Sequence, residues 1–584
     1  MLKPLTINDR EIIEPYLKKA NFEGYNSNFM TMMMWNHEYN IHYYCNERFL
    51  VLLSHYEHLL FWNMPYAEKE DYQEAIEFMR DYCAKTKIPF LMDGVLNEQV
   101  EWIKEIYGDD FQYVSKRGEY DYIYEKEKLI SLSGKKMQKR RNHFNAFLKL
   151  YDGRYTYKRL EREDYNQVVE LMSLWENNKD EAESIRQEHE GILFLLDHMD
   201  QLDYKGGCIY IDGKLEAFAI ASELNHKTIQ IHVEKANTEF RGLFVAISKF
   251  FLENEFEDCL YVNREDDMEL ESLRYSKTQL RPLKLLEKSF VFPNNYKIRK
   301  ATDCDYGVIK QMWINNFKED SIQYVNFHFE HIYDINNTYA LEIDHMIICV
   351  LQMVPLEIMF KGKVETISFV VGVATNPMFR QLGYMRKLLN YALEDRKDEV
   401  ITVLQAYNWD VYKSFGFDIK YYKKKVIIND LSKIEENQHI QFFNEAFDYK
   451  DLVKVYNQYV ADKDGYRVRD ENYYQKYLLE SYEIDSISLK VAYNQDNEIV
   501  GYIAYSQDIE NENQLYVSEA IYTSKDVLLQ LLKQIQTNSQ VITVLLSSFD
   551  NIGDTYEEEI VPFMMVKENT EIFDLERPFI SENL

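Results

Sequence analysis

Cysteine, proline and glycine are all scarce in this chain, which has 6 cysteines, 10 prolines and 19 glycines among 584 residues. The cysteines, at positions 45, 83, 208, 259, 304 and 349, form no Cys-x-x-Cys pair. This spacing argues against a zinc site or a disulfide framework and predicts reduced thiols in a cytoplasmic protein without a metal. So few prolines and glycines indicate that most of the chain is folded rather than linker.

Long apolar runs and excess positive charge are also missing. No window reaches eighteen uncharged apolar residues, and the amino terminus, MLKPLTINDREIIEPYLKK, is charged throughout, so we expect no membrane span and no signal peptide. The formal net charge of -31 argues against a general affinity for DNA or for anionic membranes, because phosphate surfaces would repel most of the exterior. A cationic substrate would be attracted.

The most informative segment runs from Phe369 to Glu394 and predicts a strand, a tight turn and a helix. Residues 369–373 are almost continuously apolar, whereas residues 385, 388, 389 and 392 recur at helical spacing. The turn between them holds Arg380 and Gly383 at the start of the helix, where backbone N–H groups and the helix dipole favour an anion. A nucleotide triphosphate loop is excluded, since its second glycine and its lysine are absent. The segment predicts a phosphate-binding turn.

A second motif follows about thirty residues later, after the apolar run Val400–Leu404 that predicts the next strand. The turn pattern Arg-x-x-Gly-x-Met resembles the acyl-coenzyme A signature of the Gcn5-related N-acetyltransferases (GNAT superfamily), with Met385 in place of the last small residue. Acetyltransferases of this superfamily commonly carry Tyr-x-x-x-Gly-Phe at the second position, which Tyr412, Gly416 and Phe417 match.

The resemblance assigns roles to single residues of this chain. Tyr412 would protonate the leaving thiolate of the coenzyme, and the terminal carboxylate of Leu584 would act as general base if the tail folds back, with Glu365 as another possible base. A bound amine can also lose its proton to water and attack unaided. The residues assigned to acetyl-coenzyme A, the acyl donor, are Val373, Ala374 and Thr375 for the pantetheine amides; Arg380, Gln381, Leu382, Gly383, Tyr384, Met385 and Arg386 for the pyrophosphate turn; and Tyr407 and Asn408 beside the thioester.

A hairpin of strands followed by a helix recurs at intervals of roughly 140 residues, which indicates internal repeats. We therefore expect an α/β (α+β) fold of four tandem GNAT-like units in two pairs, with mixed, mainly antiparallel sheets flanked by helices. The fourth copy lacks the arginine-glycine turn, so we expect no phosphate site there. The predicted boundaries are 1–130, a degenerate unit; 131–294, a second unit; 295–428, the catalytic unit; 429–566, a non-catalytic unit; and 567–584, a tail.

The two halves resemble different families. Residues 296–566 resemble the acetyltransferase core of the enhanced-intracellular-survival family, which acetylates amines of cationic small molecules, and we expect its sterol-carrier-like terminal domain to be missing or vestigial here. Residues 1–294 resemble the uncharacterised soluble relatives of the phosphatidylglycerol lysyltransferase catalytic domain. The segments that carry this second resemblance are LSGKKMQKRRNHFNAFL, HVEKANTEFRGLF and VNREDDMELESLRYSKTQLRPLKLLEK.

These resemblances imply an acetyl-coenzyme A-dependent N-acetyltransferase that acts on a primary amine of a cationic small molecule or peptide, by direct attack on the thioester. Two alternatives stay open: aminoacyl transfer from charged tRNA by the amino-terminal pair, and a non-catalytic coenzyme-binding or sensor protein. The alternative with tRNA depends on the basic residues of segment 135–149, which otherwise form a solvated helix face. Those residues are Lys135, Lys136, Lys139, Arg140 and Arg141. A smaller set of polar residues, Glu234, Asn263, Glu265, Asp266 and Arg274, is expected to be mostly salt-bridged surface.

Overall fold

The computed structural model describes residues 2–581 except 57–58, 174–181, 444–446, 509–510, 512, 537–540 and 554–555. The chain forms two compact units, one of residues 1–296 with 343–346 and one of residues 297–342 with 347–584. No described helix combines the length and the apolar character that crossing a bilayer requires.

The first unit contains two sheets and ten helices among its described residues. Its strands are β1 (Lys3–Pro4), β2 (His42–Cys45), β3 (Phe49–Tyr56), β4 (Leu59–Asn63), β5 (Tyr66–Ala67), β6 (Met92–Leu96), β7 (Phe111–Val114), β8 (Asp121–Glu125), β9 (Tyr155–Arg159), β10 (Lys205–Ile211), β11 (Lys214–Asn225), β12 (Thr228–Ala236), β13 (Tyr261–Asn263), β14 (Lys284–Leu286) and β15 (Lys288–Pro293). Its helices are α1 (Arg10–Ala20), α2 (Phe29–Tyr39), α3 (Tyr72–Thr86), α4 (Asn97–Tyr107), α5 (Lys126–Ser131), α6 (Gln138–Leu150), α7 (Tyr165–Met172), α8 (Ala182–Asp197), α9 (Leu243–Glu255) and α10 (Glu271–Gln279).

The second unit is built on one sheet. Its strands are β16 (Lys297–Lys300), β17 (Thr338–Ile343), β18 (Met346–Phe360), β19 (Lys363–Thr375), β20 (Ile401–Leu404), β21 (Phe417–Ile428), β22 (Ser488–Tyr493), β23 (Ile499–Gln507), β24 (Gln514–Tyr522), β25 (Val541–Ser547) and β26 (Glu557–Glu568). Its helices are α11 (Tyr306–Asn316), α12 (Ile322–His331), α13 (Tyr384–Asp395), α14 (Trp409–Lys413), α15 (Tyr449–Tyr459), α16 (Leu479–Ile484) and α17 (Lys525–Ile535). A π-helix, Tyr473–Leu478, leads directly into α16.

Strand order shows how the repeats are joined. The first unit has one sheet in the order β1-β2-β3-β4-β6-β15-β7, with β5 beside β3, and another in the order β14-β8-β13-β12-β11-β10-β9. The second unit has a continuous sheet in the order β16-β17-β18-β19-β20-β26-β21-β25-β24-β23-β22. Most pairs are antiparallel, which confirms the predicted α/β fold with mixed, mainly antiparallel sheets.

One arrangement occurs four times along the chain: an antiparallel hairpin, a helix and a strand that pairs parallel with the second hairpin strand. The four parallel pairs are β4 with β6, β12 with β13, β19 with β20, and β24 with β25. The helices between the strands of these pairs are α3, α9, α13 and α17. The recurrence matches the repeats that the sequence indicates, while the exact boundaries of four units stay a prediction.

Candidate active site

The third repeat opens a gap between two parallel strands. β19 pairs with β20 from Ser368 and Thr402 to Val370 and Leu404, and there β20 ends while β19 continues to Thr375. In the part of the chain that the structure describes, no strand therefore lies beside this edge of β19 after Val370. Such an edge is suited to an extended ligand that pairs with the main chain as a strand would.

A glycine bends β19 where the gap begins. The register with β18 shifts between Val350 and Gln352, and Gly372, opposite this shift, has a φ of 60°. A Cβ at this position would overlap the ring of Trp313. Both the left-handed backbone and the contact with the indole thus require glycine, which explains the break in the apolar run of the sequence.

The turn after β19 leads to α13 through two left-handed residues, Gln381 with a φ of 64° and Gly383 with a φ of 80°. Gly383 caps the helix without a side-chain hydrogen bond, and the first intrahelical bond to it comes from the Lys387 N–H. A Cβ at Gly383 would meet no atom within 4 Å. The helix start therefore faces open space with its positive dipole end, which is the arrangement that binds phosphate.

Equivalent helix starts in two other repeats are closed. At α9 the cap is Gly242, and a Cβ there would overlap the carbonyl of His143 from α6. At α17 the cap is Ser524, whose side chain accepts a hydrogen bond from the Val527 N–H. A cap of this kind satisfies one of the donors that an anion would need. Among these three starts, α13 is the open one.

The pantetheine and pyrophosphate residues lie along this gap and turn, in different environments. Ala374 and Tyr384 are buried, whereas Val373, Thr375, Leu382 and Met385 are half-buried and Gln381, Gly383 and Arg386 are exposed. Arg380 is also exposed, but its guanidinium donates to Asn316 Oδ1 at 2.6 Å and to the Thr375 carbonyl at 3.3 Å. These two hydrogen bonds link the turn to the end of α11 and to β19.

The residues predicted to lie near the thioester, Tyr407, Asn408 and Tyr412, differ in exposure and contacts. Tyr407 lines the cavity described below and is 91% exposed, while Asn408 caps α14 by accepting from the Asp410 N–H. Tyr412 is half-buried and is absent from the residues that line the cavity. Burial, with a smaller contribution from the nearby Cys349 thiol, raises the pKa of Tyr412. The phenol consequently stays protonated over the physiological range.

Neither candidate base has a demonstrated place in the site. Leu584 lies outside the described residues, which end at Ser581; that serine lines the cavity, and its Oγ accepts from Lys423 Nζ at 3.2 Å. Glu365 pairs with Ile358 in the sheet. It precedes Val371 by six residues of extended strand, which is about 20 Å. Glu365 is therefore too distant to act at the gap.

A cavity of about 880 Å³ adjoins the gap within the second unit. Its walls come from β19 at residues 369–372, from residues 405–409, from α11 and α12, and from the π-helix and α16. Its lining includes ten aromatic side chains, one arginine, Arg467, and four carboxylates: Glu319, Asp320, Asp485 and Glu519. A cavity with this lining suits a cationic ligand with apolar parts.

The four carboxylates differ in their partners. Arg469, fully buried, binds Glu519 through Nη2 to Oε2 at 2.7 Å and Nη1 to Oε1 at 3.1 Å, and Tyr502 also donates to that glutamate at 2.9 Å. Glu519 is thus neutralised within the wall. Asp320 instead accepts from the Trp313 indole N–H at 2.7 Å. Burial and the charge of Asp320 raise the pKa of Asp485.

Sequence reasoning missed Trp313, Asp320 and Asp485. A tryptophan in an apolar helix face gives no signal for a site, although its indole N–H needs an acceptor nearby once buried. Asp485 lies in another repeat, and only the folded chain brings it to Asp320. The motif residues therefore locate the gap, whereas the cavity beside it depends on tertiary structure.

The polar residues singled out in the first unit are more buried than expected. Asn263 is fully buried and donates to Asp121 Oδ2 at 2.8 Å, and Glu234 forms an ion pair with Arg264 at 3.0 Å. Glu265 and Asp266 are half-buried with raised pKa values, because burial penalises their charge. Only Arg274, paired with Asp267 at 2.9 Å, fits the expected salt-bridged surface.

The basic segment divides into two faces. Lys135, Lys136 and Lys139 are exposed. Arg140 is half-buried beside Arg264, and burial with that neighbouring charge lowers its pKa. Arg141 donates to the carbonyls of Leu132 and Gly134, the latter at 3.1 Å. The three lysines are the part of the segment that is open to a ligand.

One group of possible metal ligands occurs among the described residues. His37 Nε2 lies 3.9 Å from Glu38 Oε1 and 3.8 Å from Glu190 Oε2. All three side chains are partly exposed. The arrangement is that of a surface ion pair.

Family models match both parts of the chain. Residues 18–292 match the family "Phosphatidylglycerol lysyltransferase, C-terminal", and residues 297–420 match the family "Acetyltransferase (GNAT) domain". The two matches lie in separate parts of the chain and agree with the two resemblances that the sequence motifs indicate. The GNAT match contains β19, the gap and α13.

Known proteins resemble parts of the chain. An uncharacterized protein of Mycoplasmoides gallisepticum is 24% identical over 200 residues, which are 34% of this chain and 64% of that protein. A conserved protein of unknown function from Bacteroides thetaiotaomicron is 29% identical with a TM-score of 0.48, covering 50% of this chain and 99% of its own. Eis1 from Mycobacterium abscessus is 14% identical with a TM-score of 0.38, covering 47% of this chain and 73% of its own.

Proposed function

We propose that the second unit is an N-acetyltransferase that transfers the acetyl group of acetyl-coenzyme A to a primary amine of a cationic small molecule or peptide. The observation that carries this proposal is the gap between β19 and β20, which joins the open start of α13 to the acid-lined cavity. The thioester donor enters along the gap, and the amine enters from the cavity.

Placement of the two reactants supplies most of the proposed rate enhancement. Holding an amine against a thioester in attacking geometry is worth up to roughly 7 to 11 kcal/mol. The pantetheine pairs with the free edge of β19 at Val373–Thr375, and the pyrophosphate binds the turn at Gln381–Arg386. Tyr407 flanks the thioester, and Tyr412 donates a proton to the leaving thiolate.

The other repeats support this site rather than duplicate it. The closed helix starts at Gly242 and Ser524 favour a single donor site, in the predicted unit 295–428. Unit 429–566 contributes the π-helix and α16 to the amine cavity. All six cysteines are free, which agrees with a reducing, cytoplasmic location.

Two measurements on the full chain test the proposal. Isothermal titration with acetyl-coenzyme A is expected to show one site, and a thiol-release assay across mono-, di- and polyamines is expected to show amine-dependent turnover. Binding without turnover for any amine would indicate a non-catalytic coenzyme-binding protein. No binding at all would contradict the donor site.

A second candidate concerns the first unit, which matches the phosphatidylglycerol lysyltransferase family and exposes Lys135, Lys136 and Lys139. Aminoacyl transfer from charged tRNA would use these lysines to hold phosphates. Replacing all three by glutamate is expected to abolish tRNA binding in a filter assay at fixed salt. Lys214→Glu, which changes another exposed lysine of the same unit, is the control. Equal tRNA retention by both variants would exclude this role.

A further inference from the structure

Two carboxylates from distant parts of the chain meet in the cavity of the second unit. Asp320 lies in the turn between α11 and α12, and Asp485 caps the C-terminus of α16. Both line the cavity. Within the described residues, neither carboxylate forms an ion pair with a lysine, an arginine or a histidine. Other acids nearby are already paired, since Glu519 binds Arg469 and Glu480 binds His331 at 3.4 Å.

We propose that Asp320 and Asp485 together dock the ammonium group of the acceptor and take its proton before the amine attacks the thioester. This inference rests on the proposed N-acetyltransferase function and assigns the general base, which the sequence motifs leave open. Asp320 is half-buried and Asp485 is exposed, and both line a cavity that reaches the gap in the sheet, so an ammonium group that enters the cavity can contact them.

Trp313 connects the carboxylate pair to the gap. Its indole N–H donates to Asp320 Oδ2 at 2.7 Å, and its ring packs against Gly372, where β19 parts from β20. One side chain therefore contacts both the strand that receives the acyl donor and the acid that receives the amine. Trp313 acts as a positioning residue, since it fixes Asp320 relative to β19.

The electrostatics suit the transfer of one proton. Burial and the charge of Asp320 raise the pKa of Asp485, while Asp320 accepts the hydrogen bond of the Trp313 indole N–H. The same two aspartates and burial raise the pKa of the Tyr324 phenol, which stays neutral. The other ionisable groups that line or adjoin the cavity are Glu319, the His331–Glu480 pair, the Arg469–Glu519 pair, Arg467, Tyr407, Tyr473 and Tyr482. A carboxylate of raised pKa is a better base for an ammonium than an ordinary one.

Proton transfer and acyl transfer together convert the ammonium and the thioester into an amide and a thiol. The ammonium R–NH3+ gives one proton to the carboxylate pair and becomes R–NH2, whose lone pair forms the C–N bond to the thioester carbonyl carbon. The C–S bond breaks with its electron pair on sulfur, and the thiolate takes a proton that the new amide nitrogen loses, directly or through Tyr412. The products are the amide and coenzyme A, and the protonated carboxyl later releases its proton to water.

The test compares Asp320→Asn and Asp485→Asn with Asp496→Asn, a matched change at an exposed turn outside the cavity. For an acceptor that is an ammonium ion at the assay pH, kcat/KM is expected to fall about 100-fold in either cavity variant and to be unchanged in the control. For an arylamine or fluoroalkylamine that is neutral at the same pH, the loss is expected to be less than tenfold. The acidic limb of the wild-type kcat/KM profile, which reports ionisation of the pair, is expected to move to lower pH in Asp485→Asn.

Calorimetry with acetyl-coenzyme A is the folding control, because a cavity variant that still binds the donor is folded. Cavity variants as active as Asp496→Asn with ammonium acceptors would overturn the base assignment while the acetyltransferase function stands. An equal loss with neutral and charged amines would also overturn it. A wild-type chain that acetylates no amine would refute the function itself, and the inference with it.

Discussion

At the scale of the residue, Tyr412 illustrates how a motif and a cavity give separate information. The motif predicts that it is the proton donor, yet its phenol lies near Cys349 and outside the cavity lining. Burial raises its pKa, so the phenol remains a proton donor at neutral and alkaline pH. A phenol is a weak acid, and its contribution is greatest when the proton moves as the C–S bond breaks.

We therefore expect Tyr412→Phe to lower kcat by about 100-fold while the affinity for acetyl-coenzyme A changes less than threefold. Steady-state kinetics and calorimetry measure the two quantities. Tyr422→Phe is the control, because Tyr422 is another partly exposed tyrosine, 42% exposed, on the neighbouring strand. Unchanged turnover in Tyr412→Phe would remove this residue from the reaction.

Gly372 is required for a steric reason, because a larger side chain would overlap the ring of Trp313. The sequence shows only a glycine within an apolar run, and nothing in that pattern reveals the Trp313 ring against it. Asp320 and Asp485 are similar, since 165 positions separate them in the numbering and only tertiary folding brings them together. Local patterns predict what adjoining residues do, and they do not predict which distant side chains meet.

At the scale of the element, strands and helices of the third repeat follow closely from the sequence. The apolar run at 369–373 lies within β19, the residues at helical spacing lie in α13, and Val400–Leu404 contains β20. Their order requires a parallel crossover, which the structure contains. The sequence does not predict that β19 extends beyond the end of β20, because the end of a strand depends on which neighbouring strand it pairs with.

The open start of α13 gives a prediction at this scale, and the chain offers a matched control for it. Gly383 and Gly362 both have a left-handed φ, of 80° and 77°, and a Cβ at either would meet nothing within 4 Å. Alanine at each position is expected to cost about 1 kcal/mol of stability through backbone strain alone. Only Gly383→Ala places a methyl group where the pyrophosphate approaches the backbone.

We expect Gly383→Ala to weaken acetyl-coenzyme A binding at least tenfold, and Gly362→Ala, in the turn between β18 and β19, to leave it within twofold. Calorimetry gives the affinities, and urea unfolding followed by circular dichroism confirms that the two variants lose similar stability. Equal affinity in the two variants would place the pyrophosphate elsewhere than at α13.

At the scale of the whole molecule, the excess of acidic residues acts in two opposite ways. The net charge of -31 attracts a cationic amine and repels coenzyme A, which carries phosphates. The proposed donor site would offset this repulsion with main-chain N–H groups and the helix dipole at α13, which act at short range. The proposed acceptor site would use Asp320 and Asp485, whose field adds to that of the whole chain.

Salt should therefore affect the two substrates differently, and this provides a test that depends on no single residue. Raising the ionic strength from about 0.02 M to about 0.5 M shortens the screening length from roughly 20 Å to roughly 4 Å. We expect kcat/KM for a diamine or polyamine to fall at least tenfold over this range, because long-range attraction is lost. With a neutral arylamine it should change less than twofold, and the affinity for acetyl-coenzyme A should hold or rise as repulsion is screened. A polyamine rate that does not depend on salt would show that the acidic surface plays no part in capturing the acceptor.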